Sequence, residues 1–436
     1  MRCLLAVFLL FFSVGSQAEL NDVEKRLSVI AKASQEVSVA LLERVVNINS
    51  GTMNHAGVKH VADVFAEEFE SLGFDTNWYD MSEVDRAGHL FAERKPAPSA
   101  LTRNGQCLLL IGHLDTVFEK DSAFQSFERD GDFAVGPGVN DMKGGDVVIV
   151  QALKSLETAG VLQDLHIIVA MIGDEEKSGS PKSISRYHLV EAAKRCDIAL
   201  GFEIATGLQT ATIARRGSSG WMLEVSGKRA HSSGIFSDRV GSGAIFEAAR
   251  ILNQFHEQLT GQQYLTFNPG VILGGTEVNY EPSQNRGDAF GKTNVVSQIV
   301  TVHGGLRTIS SEQEADARTA MKAIAHADHH PGTDALITFS DGYPSMPPTQ
   351  GNIAVLAKLN QVSIDLGYGP VEAYDPGKRG AADVSFIAEY VDAIDGIGAQ
   401  GAGAHTPDEN IDLSTLPMLV ERASILIHRL GREENL

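Results

Sequence analysis

The segment 165–172 (Leu-His-Ile-Ile-Val-Ala-Met-Ile) is a short, almost unbroken apolar run that breaks at Gly173 into three consecutive carboxylates, Asp174, Glu175 and Glu176. Such a run predicts a strand buried on both faces, of the kind found in a parallel sheet covered by helices. The three acids then fall just past the strand's carboxyl end, where open α/β sheets place their chemistry. The layout recurs. Segment 106–112 runs into His113 and Asp115, 197–202 runs into Glu203, and 393–398 leads through a glycine-rich turn to His405. Four apolar strands each delivering an imidazole or a carboxylate at one edge is the pattern of a metal site.

The remaining segments place these strands in an α/β domain. Apolar spacing predicts helices over 24–48 and 59–72, strands over 75–79 and 90–94, and a Pro/Ser/Asn/Gly break over 95–105. The turn cluster Gly136-Pro-Gly-Val-Asn140 delivers Asp141 to the amino end of a helix over 143–159, where negative charge is favoured. A helix over 182–194 completes a βαβ pattern. The expected fold is α/β, with a mixed, largely parallel sheet flanked by helices. From 217 the texture changes to a strand (221–226), a helix (241–259), two strands (265–273, 294–302), a helix (311–325) and a strand (335–339). That is the ferredoxin-like order. The chain thus divides into a catalytic domain (19–216 and 346–436) interrupted by an inserted ferredoxin-like α+β domain (217–345). Helices over 352–366 and 414–429 return the chain to the first domain.

Residues 1–18 read as a cleavable secretory signal: Arg2, an apolar stretch from Leu4 to Phe12, and Ser16-Gln-Ala18 as a small-x-small cleavage site. The run is short for a membrane span of about 20 residues. A secreted or periplasmic protein without stable membrane insertion is therefore expected. The formal charge of −20, from 36 basic and 56 acidic residues, argues against nucleic acid or an anionic membrane as partner. Cys3 leaves with the signal. Cys107 and Cys196 both begin predicted strands, and buried free thiols are the favoured reading, although export permits a disulfide.

Charge balance supports a two-metal site built from His113, Asp141, Glu176, Glu203 and His405. Two divalent ions bring four positive charges; three carboxylates and one hydroxide offset them, and two neutral imidazoles add none. Nitrogen and oxygen donors without thiolate favour zinc, with cobalt or manganese compatible. Glu175 and Glu176 are neighbours and in an extended segment point to opposite sides, so one binds metal while the other stays free as a proton carrier. Asp115, two residues from His113, is placed to fix the imidazole tautomer.

The segments Gly112-His-Leu-Asp-Thr-Val117, Gly138-Val-Asn-Asp-Met-Lys-Gly144, Gly173-Asp-Glu-Glu176, Glu203 and Gly403-Ala-His405 together resemble the di-zinc aminoacylase and carboxypeptidase family. That family includes bacterial glutamate carboxypeptidase, acetylornithine deacetylase and succinyl-diaminopimelate desuccinylase. The resemblance spans nearly the whole mature chain, inserted domain included, and implies that the inserted domain is a lid and dimerisation module. It implies that His113 and Glu203 hold one zinc, Glu176 and His405 the other, and that Asp141 bridges them. It implies that Glu175 takes a proton from the attacking water and passes it to the leaving nitrogen. His231, in Arg229-Ala-His-Ser-Ser233, matches a histidine that reaches a partner subunit's active site to stabilise the oxyanion, which implies a homodimer. Arg307 and Asn294 match positions that grip a substrate carboxylate.

Two stretches depart from the commoner pattern. Lys378-Arg-Gly-Ala-Ala-Asp383 replaces a Gly/Ser-rich loop and adds Arg379 as a positive contact near the site, and the loop 280–292 carries Arg286. His326, Asp328, His329 and His330 sit at a helix end, where histidine is favoured by the dipole, and read as solvated rather than as ligands. The expected activity is cleavage of an amide or peptide bond next to a free carboxylate, with glutamate-carboxypeptidase action on a small peptide favoured. The alternatives are an N-acyl-amino-acid deacylase and, from a different class, a metal- or solute-binding protein that has lost the chemistry.

Overall fold

Three apolar runs, Cys107–His113, His166–Ile172 and Ile198–Gly201, form the middle of a six-stranded sheet and are almost entirely buried. The computed structural model describes residues 20–97 and 105–432; the signal expected at 1–18 and most of the 95–105 break lie outside the described residues. The sheet order is Asp75–Asp80, Gly88–Arg94, His166–Ile172, Cys107–His113, Ile198–Gly201 and Asp392–Ile394. The last four strands run parallel, and Gly88–Arg94 is antiparallel to both its neighbours. The sheet is thus mixed and largely parallel, with helices on its faces. Register sets the site: His113 lies opposite Ile172 and Ile111 opposite Gly201, so the chain leaves all three strands at one level.

Helix Lys143–Thr158 packs between the sheet, helix Gln35–Val46 and the carboxyl-terminal helix Leu416–Leu430, and nearly every residue on it is buried. This explains its apolar character on all sides. The helix expected over 24–48 is two, Asp22–Lys32 and Gln35–Val46. Between them the buried Ser34 hydroxyl donates to the Ala31 carbonyl (2.7 Å), a side-chain bond that competes with the helical ladder. The helix expected over 182–194 also divides, into Lys182–Ser185 and Tyr187–Ala193, at Arg186, whose guanidinium is drawn into the interior.

A second, four-stranded sheet is built from Ser218–Gly227, Thr266–Gly275, Ile299–Arg307 and Thr333–Tyr343, all antiparallel. Helices Ala244–Leu259 and Ser311–His326 pack on it around a core of its own, including Trp221, Phe255, Val302 and Met321. The strand expected over 294–302 lies five residues later, because Val295 instead bridges His231. The loop expected over 280–292 is largely a hairpin, Glu277–Glu281 with Arg286–Phe290, turning at Asn285 with φ 48°. Its exposed flank offers little apolar alternation that sequence reading could have caught.

The free-thiol reading is overturned. Cys107 and Cys196 form a disulfide with Cα atoms 4.5 Å apart. The parallel pairing of Cys107–His113 with Ile198–Gly201 brings Cys196, two residues before the second strand, against the start of the first, and the Asp197 N–H donates to the Cys107 carbonyl. His329 is not merely solvated either; its Nδ1 lies 2.9 Å from the buried Glu247 carboxylate.

The chain crosses between the two sheets at 215–217 and 343–346. There Arg215 and Met346 exchange both backbone hydrogen bonds, each 2.9 Å. The buried Arg215 side chain donates from Nε to Asp395 Oδ2 (2.6 Å) and from Nη1 to the Gly380 carbonyl (2.9 Å), which fastens the crossing to the end of the central sheet. Asp395→Ala leaves that guanidinium buried without its counter-ion and should cost about 3–5 kcal/mol in urea unfolding. Combining it with Arg215→Met should cost less than Asp395→Ala alone.

Candidate metal centre

The Asp141 carboxylate faces two imidazoles at once. Its Oδ1 is 3.3 Å from His113 Nε2, and its Oδ2 is 3.0 Å from His405 Nε2. On the first side His113 Nε2 also meets Glu203 Oε1 at 3.6 Å, and on the second His405 Nε2 meets Glu176 Oε2 at 3.2 Å. The five side chains therefore form two groups that share Asp141. Donors about 2.0–2.1 Å from a tetrahedral ion stand about 3.3 Å from one another, which is the spacing seen. One ligand atom each from His113, Asp141 and Glu176 fall within 4.8 Å of one another. Glu176 Oε1 is buried without a hydrogen-bond partner among the described residues. A buried carboxylate oxygen left over in this way is costly unless a cation takes it, so the donor set fits metal binding.

Each donor is delivered by the end of a strand or by a tight turn. His113 closes its strand directly after Gly112, where a Cβ would sit 2.0 Å from Asp146 Oδ1. Its Nδ1 lies 3.0 Å from the Asp115 backbone carbonyl and 3.6 Å from that residue's carboxylate. A carbonyl only accepts, so Nδ1 carries the proton and the Nε2 lone pair faces the cluster. The tautomer is thus fixed by the Asp115 main chain. The Asp115 side chain does something else: its oxygens accept from Thr52 Oγ1 (2.6 Å) and from the N–H groups of Glu175 (3.0 Å) and Glu176 (3.2 Å). It shapes the loop that carries both glutamates. His405 adopts φ 64°, a left-handed conformation that costs a non-glycine residue of order 1–3 kcal/mol.

Without a cation the carboxylates can be matched only by protons. Burial alone would lower the His113 pKa, but the Asp141 hydrogen bond and the charges of Glu203 and Glu175 raise it well above its ordinary value. His405 rises to about 10, chiefly through its hydrogen bonds to Asp141 and Glu176. Glu203 and Asp115 are each pushed up to about 7 by burial. Glu175 is held well above the usual carboxylate range, first by burial and then by the Glu203 charge. A divalent ion entering here must displace the imidazole protons.

The structure brings together His113, Asp141, Glu176, Glu203 and His405, with Glu175 and Asp115 alongside. Arg379 is also near: its Nη2 donates to the Ile204 carbonyl (3.0 Å), Nε is buried without a partner among the described residues, and Glu203 and Asp141 act on its charge. Arg307 ends its strand on the second sheet, with Nη1 3.9 Å from where a Cβ on Gly380 would stand. Among the described residues, no hydrogen bond or ion pair joins the His231 or Asn294 side chain to the cluster. They lie side by side on the second sheet's domain, where Ser232 N–H donates to the Asn294 carbonyl and His231 Nδ1 meets Ser233 Oγ at 2.8 Å.

Two other contributors, Glu409 outside every motif segment and Lys143 inside the 138–144 segment, receive no role from sequence. Glu409 Oε1 accepts from the N–H groups of Asn140 and Asp141, both at 2.9 Å, and its Oε2 from Gly138 N–H (3.3 Å). Lys143, fully buried and lowered to about 7 by that burial, donates to the Val45 and Ile48 carbonyls at 3.0 Å. The signal available was a charge in an otherwise apolar or turn-forming setting, and only the fold gives it a partner.

The chain matches peptidase family M20/M25/M40 over residues 109–429. It is 25% identical over 415 residues to carboxypeptidase G2 of Pseudomonas sp. (strain RS-16), covering 94% of this chain and 93% of that protein. It is 26% identical over 408 residues to succinyl-diaminopimelate desuccinylase of Gluconobacter oxydans, covering 87% and 93% respectively. Its fold is similar to that of the Bacillus subtilis YXEP protein, described as a dinuclear metal-binding peptidase, with a TM-score of 0.64, 14% identity, and coverage of 92% of this chain and 99% of that one. The match covers most of the chain and spans all five clustered side chains, and it makes this protein a member of peptidase family M20/M25/M40.

Proposed function

We propose that the protein is an exported, two-metal amidohydrolase that removes a carboxyl-terminal acidic residue from small peptides. The observation that carries this reading is the Asp141 carboxylate with one oxygen toward each of two histidines. His113 and Glu203 would hold one ion, His405 and Glu176 the other, and Asp141 both. Zinc is favoured by the nitrogen and oxygen donors, with cobalt or manganese as alternatives. A bound pair of divalent cations supplies Lewis-acid polarisation of the scissile carbonyl and acidifies a water.

Glu175 is the proton carrier in this reading. Burial and the neighbouring Glu203 raise its pKa, which suits a group that must first accept a proton and then surrender it to the departing nitrogen. Arg379 on the catalytic side and Arg307 on the lid both lie by Gly380 and supply guanidinium forks for the substrate's carboxylates. Asn294 on the lid would add a hydrogen bond to one of them. Arg379 favours an acidic terminal residue over a neutral one. A deacylase acting on N-acyl amino acids is the second reading, favoured by the desuccinylase likeness and compatible with the same metals and base.

Two further features belong to this proposal. The Cys107–Cys196 disulfide supports export, since such bonds persist in oxidising compartments. A groove of about 520 Å³ on the lid, lined by Ile235, Ile245, Phe246 and Val295, adjoins His231 and Asn294. Phe236 (68% exposed), Ile245 and Phe246 (each 52%) leave an apolar surface there. It is suited to a second copy of the chain, which would bring His231 to its partner's site.

Metal analysis should find two divalent ions per chain, and His405→Ala should retain fewer. Glu175→Gln should keep its metal while kcat falls by about 10²–10⁴; unchanged turnover rejects the base assignment. In a panel of dipeptides and N-acetyl amino acids, those ending in Glu or Asp should be cleaved first, and Arg379→Ala should erase that preference. Phe246→Asp should elute as a monomer with depressed turnover. A fully active monomer would remove the role given to His231.

A further inference from the structure

We infer that Tyr343 is a positioning residue that ties the hinge of the lid to the peptide carrying Glu175, an inference that rests on reading Glu175 as the base. Tyr343 is the last residue of strand Thr333–Tyr343, three positions before the Met346 backbone pairing that anchors the crossing. The strand's register shifts between Ser340 and Tyr343. Such an irregularity re-aims a side chain, and here the phenol points into the catalytic domain. Its oxygen lies 2.8 Å from the Glu175 backbone carbonyl.

The direction of that bond follows from the neighbours. Arg186 Nη2, 3.4 Å from the phenol oxygen, can only donate. A carbonyl only accepts, so the Glu175 oxygen cannot supply the proton of its own bond to the phenol. The phenol's single proton is thus free for the carbonyl of Glu175. Burial, followed by the nearby Asp383 charge, keeps the phenol neutral.

The Glu175 residue is consequently held from two sides. Its N–H donates to Asp115 Oδ1 (3.0 Å), a catalytic-domain group fixed beside His113, and its C=O accepts from the lid's hinge residue. Arg186 extends the connection, reaching the Asp174 carbonyl (3.1 Å) and Asp383 Oδ1 (2.7 Å). Asp383 closes the loop that carries Arg379. Any rotation of the lid about 343–346 must therefore move, or be resisted by, the peptide that joins the base to Glu176, whose N–H donates to Asp115 Oδ2 (3.2 Å), while the side chains of the five clustered residues make no hydrogen bond to that hinge among the described residues. Displacing a reacting group by about 1 Å can cost about 10²-fold in rate, so loss of the tether shows first in turnover.

Tyr343→Phe deletes the hydroxyl and keeps the ring, which packs against Phe386 with centroids 5.0 Å apart. The expected result is a kcat lowered about tenfold or more, with KM, metal content and thermal midpoint near wild type. Because Tyr343 acts through Glu175, adding Tyr343→Phe to Glu175→Gln should cause no further loss. Wild-type kcat in Tyr343→Phe, or an equal fold-loss in both backgrounds, overturns the inference. Amide hydrogen exchange gives a readout independent of activity. Exchange across 175–178 should quicken in Tyr343→Phe while 166–172 stays protected, and unchanged exchange overturns the tether. Glu175→Gln with full turnover would instead sink the base assignment, whereas an inactive Glu175→Gln beside a fully active Tyr343→Phe sinks the tether alone.

Discussion

A carboxylate that serves two imidazoles has no freedom left, and much of the structure can be understood as what holds Asp141 in that position. Both of its oxygens are engaged by histidines, so its backbone must be fixed by other groups. Glu409 does this by accepting from three successive-turn N–H groups, including that of Asp141 itself. Lys143, two residues on, anchors the same turn to the carboxyl end of helix Gln35–Val46 through the Val45 and Ile48 carbonyls. Burying charged groups this deeply is tolerable only because each has a specified partner or a shifted proton. Asp174 and Asp383 share Arg186, Asp395 takes Arg215, and Asp146, fully buried, has its pKa raised well above the ordinary value chiefly by that burial.

The distances in the cluster come from strand register before they come from any side chain. His113 opposite Ile172, and Ile111 opposite Gly201, mean that three strands release the chain at one height. Glu176 and Glu203 are then reached within a few residues. A slip of one residue in a strand buried on both faces would exchange the two apolar layers and carry the donors out of reach. The apolar runs that predict the strands are therefore also what aligns the ligands, and the same residues specify fold and site.

That coupling explains what was legible in the sequence. Strands 107–113 and 166–172 announce themselves as unbroken apolar runs, and the acids and histidines that follow them inherit a location. Glu409 announces nothing, because its meaning depends on three N–H groups about 270 positions away in the chain. Arg186 reads as a helix residue by periodicity, yet it interrupts the helix because its guanidinium finds Asp174 and Asp383 inside. Cys196 falls beside Cys107 only through the parallel pairing of their strands, and no spacing rule encodes that adjacency. The hairpin at 277–290 is exposed along its second strand, so burial leaves little periodic trace there.

The division of labour between the two sheets bears on specificity. The five clustered side chains all come from the part of the chain built on the six-stranded sheet, whereas Arg307, Asn294 and His231 belong to the part built on the four-stranded sheet and Arg379 to the loop that Arg307 approaches. Arg307 approaches Gly380, and Arg215 holds the Gly380 carbonyl from the crossing itself, so the junction that carries positive charge is also where the chain passes between the two sheets. On the proposed reading, a substrate carboxylate seated between Arg307 and Arg379 would draw the two sheets' domains together across that crossing. The free energy of recognition could then act on the orientation of the lid rather than on the metals. A family able to vary the side chains at this junction could change what it binds while the sheet edge, fixed by register and by buried charge, keeps its chemistry.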